Sequence, residues 1–238
     1  MDLYEKQARV YPAIVGTIIP IIITSAFVFT FLSKELSFWI MILARIGTFI
    51  PIALIYAALA YWMRQQFIDI SKHLFQYTLF KQDETEMPTT QLLLWSSPKR
   101  KSSQDIKAIA KKIKKDFNIT LLTEEQEREN PSEAKKTIVD AVGKIREVTR
   151  ENKNLQQYNR IFGFCRNYLG ACVCSVIIII LALIINLCFS LGFTSLLVTA
   201  LIIQILLGVL AFMTLRTKGY DYARALFNAY TTDTYDKH

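Results

Sequence analysis

The sequence predicts a mainly α-helical membrane protein: four transmembrane helices as two hairpins, with a small cytoplasmic α/β insert (β-α-β-α) between them. Three observations predict this. Tyr11–Ser33 contains no charged residue, 36–63 contains only Arg45, and Asn167–Leu215 contains none. A helix needs roughly 20 apolar residues to cross a bilayer core of about 30 Å. Residues 1–63 then hold two spans (about 11–33 and 36–63), and 167–215 hold two more (about 168–189 and 195–215). Phe189–Ser195, with Gly192, supplies the turn of the second hairpin. The third observation is charge. Arg64–Asn167 carries twenty Lys/Arg against fourteen Asp/Glu, +6 of the chain's net +8. Loops retained in the cytoplasm carry the excess of Lys and Arg. The insert (64–166), the N-terminus and the tail (216–238) are therefore expected in the cytoplasm, and both short turns outside.

Each element has a local reason. Arg64–Phe80 extends the second span as a helix, which Pro88 is expected to break. Thr89–Trp95 (TTQLLLW) reads as a short strand. Ser103 can cap a helix to Phe117, with Ile106, Ile109, Ala110, Ile113 and Phe117 on its buried face. Asn118–Leu122 reads as the second strand and Glu124–Glu129 as an acidic loop. Asn130-Pro131-Ser132-Glu133 opens a helix, with Asn130 as cap and Pro131 in its first turn. Its buried stripe is Ala134, Ile138, Val139, Val142, Ile145 and Val148. Asn154–Gly170 runs as a helix into the third span. Strand, helix, strand, helix implies a right-handed crossover between parallel strands. Beyond the fourth span, Tyr220, Ala223, Leu226, Phe227 and Tyr230 share one helical face, suited to the soluble insert or the inner interface.

The residues carry no familiar enzyme signature. There are two histidines, His73 and His238, and no G-x-S-x-G, P-loop, H-E-x-x-H or paired C-x-x-C. Glu84, Glu86, Glu124, Glu125, Glu127 and Glu129 lie in expected loops and read as solvated acids. Cys165, Cys172, Cys174 and Cys188 sit in or beside one apolar segment and read as small apolar residues, not as a metal site. No cofactor is expected.

The candidate site is basic. Lys99, Arg100 and Lys101 precede the first insert helix, and Lys107, Lys111, Lys114 and Lys115 share its face opposite the isoleucines. This stripe suits the phosphates of a nucleic acid or nucleotide, or anionic lipid, or is simply a solvated face. Trp95 beside it can stack a base or belong to the core rim. At membrane depth, Arg45, Thr48, Asn186 and Gln204 are candidate pore or gating residues. Arg45 can equally snorkel to the outer interface, and uncharged polar residues at that depth commonly join helices. Pro20 and Pro51 can kink the first two spans.

Several stretches resemble the channel-forming membrane effector of Hailong-type anti-phage defence. They are TTQLLLWSS (Thr89–Ser97), AVGKIREVTRENKNLQQYN (Ala141–Asn159), GFCRNYLG (Gly163–Gly170) and YARALF (Tyr222–Phe227). The resemblance implies a multi-pass protein of the bacterial inner membrane forming an oligomeric ion channel, a tetramer first and a dimer second. It implies a partner nucleotidyltransferase whose short single-stranded DNA products hold the channel closed. Their loss on infection would depolarise the membrane. The residues alone leave two rivals: a membrane-tethered binding module with no ion path, and a membrane enzyme acting on lipid or peptide.

Overall fold

The structure is a computed structural model that describes residues 3–35, 54, 58, 61, 65–80 and 84–232. Arg45, Thr48, Pro51 and all of the expected second span except 54, 58 and 61 fall outside those residues, as do 81–83 and 233–238. The chain forms two compact units. One comprises Met1–Phe75 with Gly163–Thr214, and the other Gln76–Phe162 with Leu215–His238. Two long helices, Lys153–Phe189 and Thr194–Thr232, contribute to both and are called here the first and second hairpin helices.

The apolar unit corrects the span count. Among the described residues two helices, not four, are long and apolar enough to cross a membrane, and they are the hairpin helices. Only 28% and 17% of their most apolar windows is buried. A helix in the core of a soluble protein would be mostly covered. Here Leu181, Ile184, Ile202, Leu206, Leu210 and Met213 are each more than half exposed. The turn between these helices falls where Gly192 predicts it, with Gly192 at φ 84° and Ser190 at φ 50°. The Tyr11–Glu35 helix follows a π-helical turn at Lys6–Val10. It lies parallel to the first hairpin helix and close against it. A Cβ on Gly163 would sit 2.9 Å from Ala8 Cβ, and one on Gly16 2.4 Å from Ala171 Cβ. Small residues at such crossings let backbones approach in an apolar medium.

The charged unit corrects the α/β insert: no strand occurs among the described residues. Thr89–Trp95, read as a strand, lies largely in the helix Pro88–Leu93. Pro88 occupies the first helical position, where its missing N–H costs nothing, so it opens a new helix. One turn of helix buries Thr89, Thr90, Leu92 and Leu93 together, which an alternating strand would split between two faces. Asn118–Leu122 is irregular backbone, with Ile119, Leu121 and Leu122 laid on the core and no second strand to pair with among the described residues. The acidic stretch is the helix Glu124–Glu129, opened by a capping box between Thr123 and Gln126.

The remaining helices follow from their sequence signals. Ser102, one residue before the expected cap, accepts from Asp105 N–H at 3.1 Å and opens Ser103–Phe117. Asn118 closes that helix in the left-handed region at φ 57°. Asn130 accepts from Glu133 N–H at 3.3 Å at the head of Pro131–Val148. The core of this unit joins Ile109, Ile113, Ile138, Val142 and Ile145 to Ala223, Leu226, Phe227 and Tyr230. The apolar face of the tail is thus part of this core. Lys135 pairs with Glu86 at its edge, both half-buried.

Candidate functional site

The basic helix Ser103–Phe117 divides cleanly. Ile106, Ile109 and Ile113 are buried, while Lys107, Lys111, Lys114 and Lys115 are exposed. With 3.6 residues per turn, positions 107, 111, 114 and 115 form one stripe about two turns long. Lys112 is the exception. Its Nζ donates to the Tyr230 carbonyl at 2.5 Å and lies 4.7 Å over the Tyr230 ring. Lys112 is therefore committed to the core edge. The Tyr230 phenol donates to Asp116 at 3.0 Å. Burial, aided by that bond and the Asp116 charge, pushes its pKa well above the tyrosine range.

The loop before this helix is held by a carboxylate that the sequence did not single out. Glu127 is buried, not solvated, and accepts from the backbone N–H groups of Trp95 at 2.9 Å and Ser96 at 2.8 Å. Trp95 donates its indole N–H to the Leu122 carbonyl at 3.2 Å, so it is part of the clasp. Arg100 donates to the Trp95 carbonyl at 2.6 Å and Lys101 to Asn228 Oδ1 at 3.3 Å. Lys99 is exposed. Of the seven predicted basic residues, four therefore form one open stripe, and the 99–101 run is fixed beside its N-terminal end through loop contacts. Replacing Glu127 with Gln should cost about 1–3 kcal/mol, because the buried carboxylate loses one of the two acceptor oxygens that serve the part-buried Trp95 and Ser96 donors. Urea unfolding of the solubilised protein measures it, and an unchanged midpoint would mean that the clasp is dispensable.

In the apolar unit, polar side chains of the hairpin helices meet backbone oxygens of the N-terminal helix, one of which has lost its usual partner. In an α-helix the carbonyl of residue i accepts from N–H of residue i+4. Pro20 has no N–H, which leaves Gly16, in the α-helix Tyr11–Glu35, without that bond. Asn167 Nδ2 donates to the Ala8 carbonyl at 2.5 Å, and Ser175 Oγ to the Gly16 carbonyl at 2.5 Å. Gln204 Nε2, from the second hairpin helix, reaches the same Gly16 oxygen at 3.4 Å. Asn167 and Ser175 are eight residues apart, as are Ala8 and Gly16, which locks the parallel register. Gln204 thus joins helices at 1% exposure. Asn186 also works as a brace: it donates to Thr194 Oγ1 at 2.8 Å and accepts from Phe193 N–H at 2.9 Å, closing the hairpin turn.

This pairing makes a sharp expectation. Ser175→Ala should destabilise the protein by about 1–2 kcal/mol, the upper range for a hydrogen bond between membrane helices. In a Pro20→Ala background the new N–H can satisfy Gly16, and the same change should cost less than half as much. A double-mutant cycle on thermal unfolding in detergent reads the coupling. Additive effects would mean that the Ser175 bond is independent of the proline.

Among the described residues no group of His, Cys, Asp and Glu could hold a metal ion. Comparison with family models, with curated proteins and with solved structures gives no match.

Proposed function

We propose that this chain is the subunit of an oligomeric ion channel, gated by an anionic ligand that lies on the basic helix. The ligand class is a nucleotide or short single-stranded oligonucleotide. The observation that carries this reading is the open stripe Lys107, Lys111, Lys114 and Lys115, on a chain whose described residues include two helices apolar enough to span a membrane. A cationic stripe without a carboxylate among its four positions favours a repeating phosphate over a single carboxylate ligand. The hairpin helices enter both units, so a ligand with different affinity for two arrangements of those helices can shift their balance. The two hairpin helices of one subunit enclose little room by themselves, and several copies around a symmetry axis supply the path. A tetramer is the first expectation and a dimer the second.

The resemblance to Hailong-type effectors extends this proposal to biology. The ligand would be made by a partner nucleotidyltransferase and hold the channel closed in the bacterial inner membrane. Its loss would depolarise an infected cell. The charged unit then lies in the cytoplasm and the Gly192 turn outside. On a background without the native cysteines, a cysteine at Gly192 should be labelled by an impermeant reagent in intact cells. One at Glu125 should be labelled only after lysis, and labelling of Glu125 from outside would reverse the topology.

Purified protein in liposomes tests the activity. An ion flux that short oligothymidylate suppresses is the expected result. Oligonucleotide binding without any flux would replace the channel by a tethered binding module, and a monomeric mass in mild detergent would count against an ion path.

A further inference from the structure

Beside the basic run, the charged unit holds a polar cavity of about 640 Å3. It lies between the start of the first hairpin helix and the end of the second, with Asn154, Tyr158, Lys218, Asp221, Arg224 and Asn228 in its wall. Volumes of about 300–1,000 Å3 suit small-molecule ligands. Asp221 stands 3.8 Å from Lys218 Nζ and 3.6 Å from Arg224, so one carboxylate serves two cations. The wall residue Asn228 also accepts from the Lys101 ammonium at 3.3 Å. Two positive charges against one negative in the wall leave the cavity attractive to an anion. An incoming phosphate can take the Arg224 guanidinium by paired N–H···O bonds, which a single carboxylate contact at 3.6 Å does not use.

The other wall residues favour more than a bare anion. Tyr158 is 36% exposed and carries an aromatic ring to the cavity. A planar heterocycle stacks on such a ring whatever its sequence identity. Asn154 and Asn228 bring amides, which hold both donors and acceptors for a polar ring edge. Cations for a phosphate, an aromatic ring for a planar base and amides for its edge make one combination.

We propose that this cavity seats one nucleotide unit of the ligand, with its phosphate on Arg224 and Lys218 and its base on Tyr158. This rests on the oligonucleotide reading above and adds to it a second site distinct from the lysine stripe. Lys101 joins the two, since it belongs to the 99–101 run and reaches Asn228. The cavity would then count single units, while the stripe holds a run of phosphates.

The test uses the full chain in detergent and three probes: deoxythymidine 5′-monophosphate, inorganic phosphate and an eight-residue oligothymidylate. The mononucleotide should bind more tightly than phosphate. Tyr158→Ala and Arg224→Gln should each weaken it about tenfold, within the range for a lost stacking or charged contact. Tyr158→Phe should leave it unchanged, and so should Gln at Lys107, Lys111, Lys114 and Lys115. The oligothymidylate should be weakened by both sets. If it binds through the lysines but ignores Tyr158→Ala and Arg224→Gln, the cavity proposal fails and the channel-ligand reading stands. Equal binding of phosphate and mononucleotide, with no effect of Tyr158→Ala, would reduce the cavity to an anion site and overturn the proposal. If the wild-type chain binds no oligothymidylate, the oligonucleotide reading itself fails.

Discussion

Replacing Lys107, Lys111, Lys114 and Lys115 together with Gln should weaken binding of a short single-stranded oligonucleotide by about 4 kcal/mol, taking about 1 kcal/mol per charge-assisted contact. Binding should also lose salt dependence. Each phosphate neutralised on a single strand contributes about −0.7 to the slope of log affinity against log salt, so four lost contacts flatten it by about 3. The fold should survive. The altered side chains are exposed, and Ile106, Ile109 and Ile113 keep the opposite face. Lys112 is left alone because it holds the Tyr230 carbonyl. Lys114 and Lys115 favour the helix C-terminus, and losing both costs about 0.6–2 kcal/mol. Fluorescence anisotropy across a salt series measures both quantities. If the ligand closes the channel, the same variant should be more toxic when expressed, and if it opens the channel, less. An unchanged affinity and slope in a folded variant would remove the stripe from the ligand site.

The sequence made the basic stripe legible because one period decides it. Isoleucines at 106, 109 and 113 fix which way the helix faces, and the lysines follow. The Asn130 cap and the Gly192 turn were readable for a similar reason, since each is a local rule. The two expected strands failed because a short apolar run has no period long enough to separate strand from buried helix. The deciding signal was Pro88, which starts helices as readily as it breaks them. Thr123 and Gln126 also spelled a capping box in the acidic stretch. Glu127 carried no such mark among its acidic neighbours. Its role arises from backbone N–H groups about thirty residues away. The proline-vacated carbonyl was half visible. Pro20 in an apolar helix announces that the Gly16 oxygen needs a donor, and Ser175 and Gln204 are donors. Their pairing depends on a register between segments over 150 residues apart, which no local pattern fixes.

Gly170→Val should be among the most damaging single changes in the apolar unit. A Cβ at Gly170 would lie 2.0 Å from the Phe67 carbonyl oxygen, 2.8 Å from its carbon and 3.0 Å from its Cα. All three are backbone atoms of the helical stretch 65–71, so no side chain can swing aside. Gly170 is buried, and Phe67 is 1% exposed within the same small cluster as Ala13 and Ala171. Overpacking a core costs typically about 1–3 kcal/mol and occasionally more. Backbone on backbone belongs at the upper end, with valine worse than alanine because its branches have nowhere to go. Helix propensity works the other way, since alanine exceeds glycine by about 1 kcal/mol within a helix. Gly143 separates the two terms. It lies in Pro131–Val148, and a Cβ added there would meet nothing within 4 Å. Gly143→Ala should therefore stabilise by up to about 1 kcal/mol. Gly208 is intermediate: its Cβ would meet Cys172 Cβ at 3.7 Å, an ordinary contact, and Gly208→Ala should be tolerated. The expected order of thermal stability in detergent is therefore Gly143→Ala above wild type, Gly208→Ala near it, Gly170→Ala well below, and Gly170→Val lowest or unrecoverable. A Gly170→Ala protein as stable as wild type would show that the 65–71 stretch does not seat on the first hairpin helix at this point.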